Sequence, residues 1–598
     1  MLPPPVPQRR RVLAGWIVQA LIGFTAAIAS DVLSFEAATL PECMEATSAA
    51  RPVAERAKYG RQSLRWDWQP GGTLTFHHPI EFTALTPTAP NNALSTFVVW
   101  IYNPVRQPGA TLRFAFGRGS ERDCWFDFGL DYTGWRTCWV AFERDMQGHP
   151  QTGMDTLRII APAVPQGGSL FIDSLNFSQP IDARHHTRDR QVPFVNSCLP
   201  TDANDHWLGL HRFDLQSLPN APVTAEMLAA ARTVTERYTQ LAGPASELTP
   251  ARLEKLRERF AAWAIRRTPA GITGRPVCYP HERVAYPAGS LELKELGEAP
   301  GLQSSATLLF DLAQASRAAT DASQATELRG MFLDLTDHLL DQGWADGSGM
   351  GTLHHLGYST RHFYTAFFLM RDTLRSTGRL EEVRRALTWL SGVGKAYGPL
   401  DQVNGISIDT LNTTLLGQIT AQLLIDDETQ RARALAATSR WLGRALESSQ
   451  GLNGGIKADG SILHHGNHYP AYAEGGIRGA TQALWLFGNT ALRVPEPGHA
   501  NLRQAMLNLR FHSNVLQWPL SLSGRHPNGE FSLSPDPYLF LALSGTPNGR
   551  EALDREVAAV WQRLDDAAQR SSTPGKKFRL LSAFTVAPCP MPKARKMT

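Results

Sequence analysis

The chain has 598 residues, of which 42% are hydrophobic and 19% charged, too long for one ordinary domain and too apolar for a disordered segment. Lysine and arginine number 59 against 55 aspartate and glutamate, for a net charge of +4. That balance tolerates a polyanionic partner without demanding one, and it gives no reason to expect nucleic acid.

At the N-terminus, Arg9, Arg10 and Arg11 precede an apolar run from Val12 to Ile28, and Ala27-Ile28-Ala29 supplies the small residues of a cleavage site. This predicts an export signal over residues 1–29 and a periplasmic or extracellular protein, with a retained anchor as the alternative. After cleavage no stable membrane span is expected. The six cysteines (Cys43, Cys124, Cys138, Cys198, Cys278 and Cys589) contain no C-x-x-C pair. Cys124 and Cys138 flank Asp131, where Tyr132-Thr133-Gly134 is expected to turn a hairpin, so they are either a disulfide or two buried thiols.

Residues 30–222 carry a β pattern. Ser95 to Tyr102, Thr111 to Phe116, Cys124 to Leu130, Thr137 to Phe142 and Ser169 to Phe177 are short runs of aromatic and β-branched residues separated by Gly, Pro and Asn. They predict a β-sandwich of jelly-roll type. Trp66, Trp68 and Trp135 are either sugar platforms or filling between two sheets, and alternation along a strand favours filling.

A loop rich in His and Arg, Asp182 to Arg190, leads into residues 223–563, where the apolar period becomes helical. Thr224 to Ala242, Pro250 to Ala264, Ser304 to Thr320, Glu327 to Gln342, Glu381 to Leu390, Asn412 to Leu424, Glu428 to Leu446, Gly476 to Phe487 and Asn501 to Phe511 read as amphipathic helices. A ring of helical hairpins around a cleft fits this array.

The densest chemistry lies in Ala458 to Ala480, where His464, His465, His468, Tyr469 and Tyr472 crowd around Gly466, Asn467 and Pro470. Pro470 suits the first turn of a helix, which puts the histidines on the incoming loop and Tyr472 near the helix start. Two further stretches are unusual: Gly351 to Tyr364, with His354, His355, Tyr358 and Arg361, and Leu522 to Pro527, with Arg525 and His526. Such residues suit β-elimination at a uronic acid. Removing the C5 proton requires the neighbouring carboxylate to be neutralised, which His, Asn or Arg can do. A tyrosine, with an ordinary pKa of about 10, serves as base once its phenolate is stabilised, and the phenol can then protonate the leaving oxygen.

At these residues the sequence resembles the chondroitin sulfate ABC lyases of polysaccharide lyase family eight. The resemblance runs through Gly60 to Trp68, Asp131 to Arg136, Phe171 to Asp173, His338 to Gly343, His354 to Ser359 and the site stretches. It implies a jelly-roll domain, an α/α toroid, a glycosaminoglycan partner and cleavage that leaves an unsaturated uronate. It assigns catalysis to His465, Tyr472 and Arg525, with His354, His355, Arg361, His464 and Asn467 as substrate-binding residues. No cofactor is required by that chemistry, though a structural calcium is compatible with it.

The resemblance also implies a catalytic glutamate in a following β domain. From Ser571 to Thr598 the sequence has no Asp or Glu, whereas Lys576, Lys577, Arg579, Lys593, Arg595 and Lys596 accumulate. Residues 564–598 are therefore expected to be a basic tail where that domain would begin, arising from a frameshift or early stop, or as a natural short form. Two rival functions are a metal site at His464, His465 and His468, and a glycan-binding protein without turnover.

Overall fold

The computed structural model describes residues 32–82, 93–164, 166–182, 185, 188–197, 216–269, 271–523 and 532–570. The expected signal, Cys198, Arg525, His526, Cys589 and the tail from Ser571 lie outside the described residues.

The N-terminal region is built of antiparallel strands: β1 (Val32–Leu33), β2 (Met44–Ala46), β3 (Ala50–Val53), β4 (Ser63–Trp68), β5 (Thr73–His77) and β6 (Ala93–Asn103). Its second half adds β7 (Thr111–Gly117), β8 (Cys124–Gly129), β9 (Gly134–Ala141), β10 (Gln147–Gly148), β11 (Thr156–Ile160) and β12 (Gly168–Asp182). Among the described residues they form two sheets, one ordered β3-β4-β12-β6-β9 with β1 on β12, the other β10-β8-β7-β11-β5-β2. Leu64, Trp66, Phe97 and Ile172 of the first share one core with Leu74, Phe114, Phe126 and Leu157 of the second. Trp66 and Trp68 are wholly buried, so they fill space and offer no face to a sugar.

The expected hairpin between Cys124 and Cys138 does not form, because β8 and β9 lie in different sheets. Both cysteines are buried free thiols, and the Cys124 sulfur packs 3.6 Å from that of Met146. Burial pushes the Cys124 thiol up to about 12. The disulfide alternative is thereby withdrawn.

The first sheet is covered on its outer face as well, which explains why β9 is buried at every position. Trp100, Trp135, Trp139 and Phe171 pack there against Ala285, Tyr286 and Leu296 of the helical region. Polar bonds join the same surfaces. The wholly buried Lys58 ammonium donates to Gln342 Oε1 at 3.1 Å and lies 4.1 Å from the centre of the Trp100 ring. Tyr59 donates to the Glu282 carboxylate, and Asn176 donates to the Ala285 carbonyl at 2.9 Å.

The helical region contains the expected helices with shifted ends, including Ala225–Leu241, Ala322–Asp341, Leu380–Ser391 and Glu428–Ala445. Thr224 caps the first of these through its side chain, and Asp427 caps the last. Leu291–Glu298, Leu356–Leu369, Asp536–Leu543 and Arg555–Arg570 are additional helices. The last of them is continuous through residue 564, so the tail boundary placed there cuts a helix whose Val557, Val560 and Leu564 are buried. No helix among the described residues is long and apolar enough to cross a membrane.

Candidate active site

Ile462–His464 and Asn467–His468 pair antiparallel, with His464 opposite Asn467. The two turn residues, His465 and Gly466, have φ of 51° and 76°, the left-handed geometry that a two-residue hairpin requires. The hairpin therefore presents His465 at an exposed tip and leaves His464 buried on the strand. Asn467 is exposed, and its amide donates to the His465 carbonyl at 3.2 Å, bracing the turn. His464 and His468 lie on strands, so the helical spacing on which the metal alternative rested is absent.

Pro470 opens the helix Pro470–Phe487, and Tyr472 stands in its first turn. The helix approaches the segment Ile408 to Asn412 closely because three glycines face it. A β-carbon on Gly479 would lie 1.9 Å from the Leu411 carbonyl oxygen, one on Gly476 2.9 Å from that of Ile408, and one on Gly475 2.8 Å from the Asn412 amide. That segment enters a π-turn over Thr410–Thr414, a wide backbone turn found often beside functional residues.

This approach brings Asp409 onto Tyr472. The Tyr472 phenol donates to Asp409 Oδ1 at 2.9 Å, the Tyr358 phenol donates to the same oxygen at 2.5 Å, and the two phenol oxygens are 2.8 Å apart. His464 Nε2 stands 3.7 Å from Asp409 Oδ2. Its ring stacks on Tyr472 with centroids 4.6 Å apart and planes 10° from parallel, while the His465 ring is 6.1 Å from Tyr472. Asp409 is 2% exposed. Burial and the Asp409 carboxylate together push the Tyr358 phenol well above the ordinary tyrosine range, so it remains a donor.

The second histidine stretch converges on the same point. His355, with φ of 59°, precedes the helix Leu356–Leu369, and its ring lies 5.7 Å from Tyr358. His354 and His355 pack against His281 at 5.3 and 5.4 Å, and His185 lies 4.8 Å from His354. Burial, with His355 alongside, lowers His281. Arg361 sits at the rim, exposed, 5.4 Å from the Tyr358 ring centre and donating to Asn412 Oδ1 at 3.1 Å.

Thus His354, His355, Arg361, His464 and His465 gather around the phenols of Tyr358 and Tyr472 and the Asp409 carboxylate. Arg525 falls outside the described residues. Asp409 and His281 were not singled out from the sequence, where each stands in an unremarkable context. Within the first turn beyond Tyr472, burial pushes the Glu474 carboxyl up to about 7 against the opposing Arg478.

The Asp409 carboxylate thus holds two phenols beside the stacked His464 ring. The family described as "Lyase, catalytic" matches residues 218–571, and the one described as "Lyase, N terminal" matches residues 29–194. The chain belongs to this lyase family. It is 36% identical over 556 residues to a chondroitin sulfate ABC exolyase of Bacteroides thetaiotaomicron, covering 92% of this chain and 54% of that protein. An exolyase of the same description from Proteus vulgaris is 31% identical, covering 86% of this chain and 52% of that protein. A chondroitin sulfate ABC endolyase from Proteus vulgaris is 27% identical over 90% of this chain and 54% of its own length. The chain therefore spans about half the length of these relatives.

Proposed function

We propose that the protein is a polysaccharide lyase that cleaves uronic-acid-containing glycosaminoglycans, chondroitin and dermatan sulfate foremost and hyaluronan as a further candidate, by β-elimination. The observation that carries this reading is the shared Asp409 oxygen, which accepts from both Tyr472 and Tyr358. A phenol that must take a proton from carbon needs somewhere to send its own. Asp409 lies in hydrogen-bond contact for that purpose.

In this scheme the C5 proton passes to the Tyr472 oxygen as the phenol proton moves to Asp409. The C5 carbanion is delocalised into the uronate carboxyl, which His465 and Arg525 neutralise. The C4–O4 bond then breaks, its electrons leaving on O4 as the C4–C5 double bond forms. Tyr472 protonates O4, and the proton on Asp409 returns to the phenol. His464 orients the Tyr472 ring by stacking. His354, His355, Arg361 and Asn467 are assigned to the flanking sugars, whose sulfates and hydroxyls suit imidazole, guanidinium and amide donors.

The scheme uses only side chains of this chain and calls for no cofactor. We assign the two sheets to a jelly roll and the helical region to an α/α toroid, with export directed by residues 1–29. The test is ultraviolet absorbance of new unsaturated ends during incubation with chondroitin sulfate, dermatan sulfate and hyaluronan, with chelator and with added calcium. Appearance of unsaturated ends that chelator leaves intact is expected. Absence of such ends on all three glycans would refute the assignment, and loss of activity restored by calcium would refute cofactor independence.

A further inference from the structure

A second cleft, sharing no lining residue with the site around Tyr472, opens where the first sheet meets the helices Ala322–Asp341 and Leu380–Ser391. Its volume is about 640 Å³. That is within the usual range for small-molecule sites and far beyond the ~30 Å³ share of a bridging water.

Most charges on its walls are paired. Arg106 holds Asp131 at 2.5 Å, Arg190 holds Asp346 at 2.7 Å, and Asp337 is held by Arg379 at 2.7 Å. Other groups are left over. Arg136 is 4% exposed and lies with its guanidinium 5.0 Å from the Tyr132 ring centre. One of its nitrogens donates to the Trp135 carbonyl at 2.8 Å, and its Nε has no partner. Gln191, 5% exposed, has an unpartnered Oε1, and Asp341, whose Oδ1 accepts from Tyr102 at 3.0 Å and faces Arg56 at 3.5 Å, has an unpartnered Oδ2. At the mouth, the exposed Arg385 forms no ion pair within 4 Å among the described residues, and the Glu382 carboxyl on the same wall feels the charges of Arg385 and Arg136.

Folded proteins seldom leave buried polar groups unbonded, because their desolvation is then uncompensated. Here residues that carry buried donor and acceptor orphans line one cleft, around a cation that burial disfavours. The geometry points to a second ligand site, for an acidic saccharide of one or two sugar units. Arg136 and Arg385 face its carboxylate or sulfate, while Gln191, Asp341 and the paired carboxylates accept from its hydroxyls. The anion-and-hydroxyl chemistry follows from the cleft alone; the choice of a uronate disaccharide as occupant rests on the lyase reading.

The test titrates the Tyr472→Phe chain calorimetrically with unsaturated chondroitin 4-sulfate disaccharide and, in a separate arm, with inorganic sulfate. Arg385→Glu in that background is expected to remove one binding site or weaken it at least tenfold, and Arg136→Gln to do the same. Arg385 is exposed, so its variant remains informative if the Arg136 variant does not fold. Circular dichroism checks folding in each case. Disaccharide binding that neither substitution changes, or no binding at millimolar disaccharide, overturns the proposal. Sulfate binding as tightly as the disaccharide overturns its saccharide part. Turnover of chondroitin sulfate by the unmodified chain is measured separately, so failure of the lyase reading is seen independently of this cleft.

Discussion

Replacing Gly479 by alanine tests whether the close approach of helix Pro470–Phe487 to Asp409 sets the activity. The new β-carbon would stand 1.9 Å from the Leu411 carbonyl oxygen, a backbone atom, whereas such contacts are essentially never under 3.0 Å. The helix or the 408–412 segment must retreat by about 1.1 Å. If that shift reaches Tyr472, its 2.9 Å bond to Asp409 opens to about 4 Å, beyond hydrogen-bond reach. Overpacking of this kind costs ~1–3 kcal/mol of stability, and a misplacement of ~1 Å in a catalytic group costs ~10²-fold in rate. The assay is the ultraviolet rate on chondroitin sulfate together with thermal unfolding. Gly330→Ala serves as control, because a β-carbon at that helical glycine meets nothing within 4 Å, and the change is expected to be neutral or stabilising. A Gly479→Ala chain with the unmodified rate and melting temperature would refute the reasoning.

Tyr472→Phe removes one phenolic oxygen and keeps the ring that stacks on His464; turnover should fall at least ~10²-fold while calorimetric glycan affinity stays nearly unchanged. Asp409→Asn keeps the shape of the carboxylate but weakens it as a proton acceptor, and should lower kcat at least ~10²-fold with little change in KM, as steady-state kinetics would show. Glu282→Gln addresses stability. Burial pushes the Glu282 carboxyl up to about 7 from its ordinary 4.5, with Lys58 and Tyr59 opposing. Its contribution is therefore fully present below about pH 4.5 and lost as pH rises through about 7, amounting to ~3 kcal/mol at most. Urea unfolding at pH 5 and pH 8 should show a smaller decline in the glutamine variant than in the unmodified chain.

The strands and helices with clean periodicity were legible from sequence, as were the helix beginning at Pro470 and the grouping of His464, His465 and Tyr472, which are near neighbours in the chain. The sheet assignment was not. A strand pattern at Cys124 and another at Cys138 says nothing of which sheet each joins, and the connection between them passes from one sheet to the other. The helix Leu356–Leu369 was obscured because Phe363, Tyr364, Ala366, Phe367 and Phe368 are buried in close succession, erasing the one-sided period. Asp409 was hidden for a different reason: its bond to Tyr472 joins residues 63 apart and depends on glycines that permit the approach. Only the packed backbone reveals that those glycines serve the site.

The buried ammonium of Lys58 has a consequence for synthesis. Its partner Gln342 follows 284 residues later, an interval of ~15–60 s at ribosomal rates of ~5–20 residues per second. Within that time, from the synthesis of Phe171 to that of Ala285, Tyr286 and Leu296, the sheet face bearing Trp100, Trp135, Trp139 and Phe171 has no helical region to cover it. The N-terminal region thus emerges with a sticky surface and, on the same side, a hydrated cation whose protein partners are not yet made, and it reaches its final environment only when the chain has been translated past the helix Ala322–Asp341. Conditions that slow elongation before that point lengthen the exposure of this face to aggregation, and a chaperone that shields it would raise the yield of folded chain without altering the finished protein.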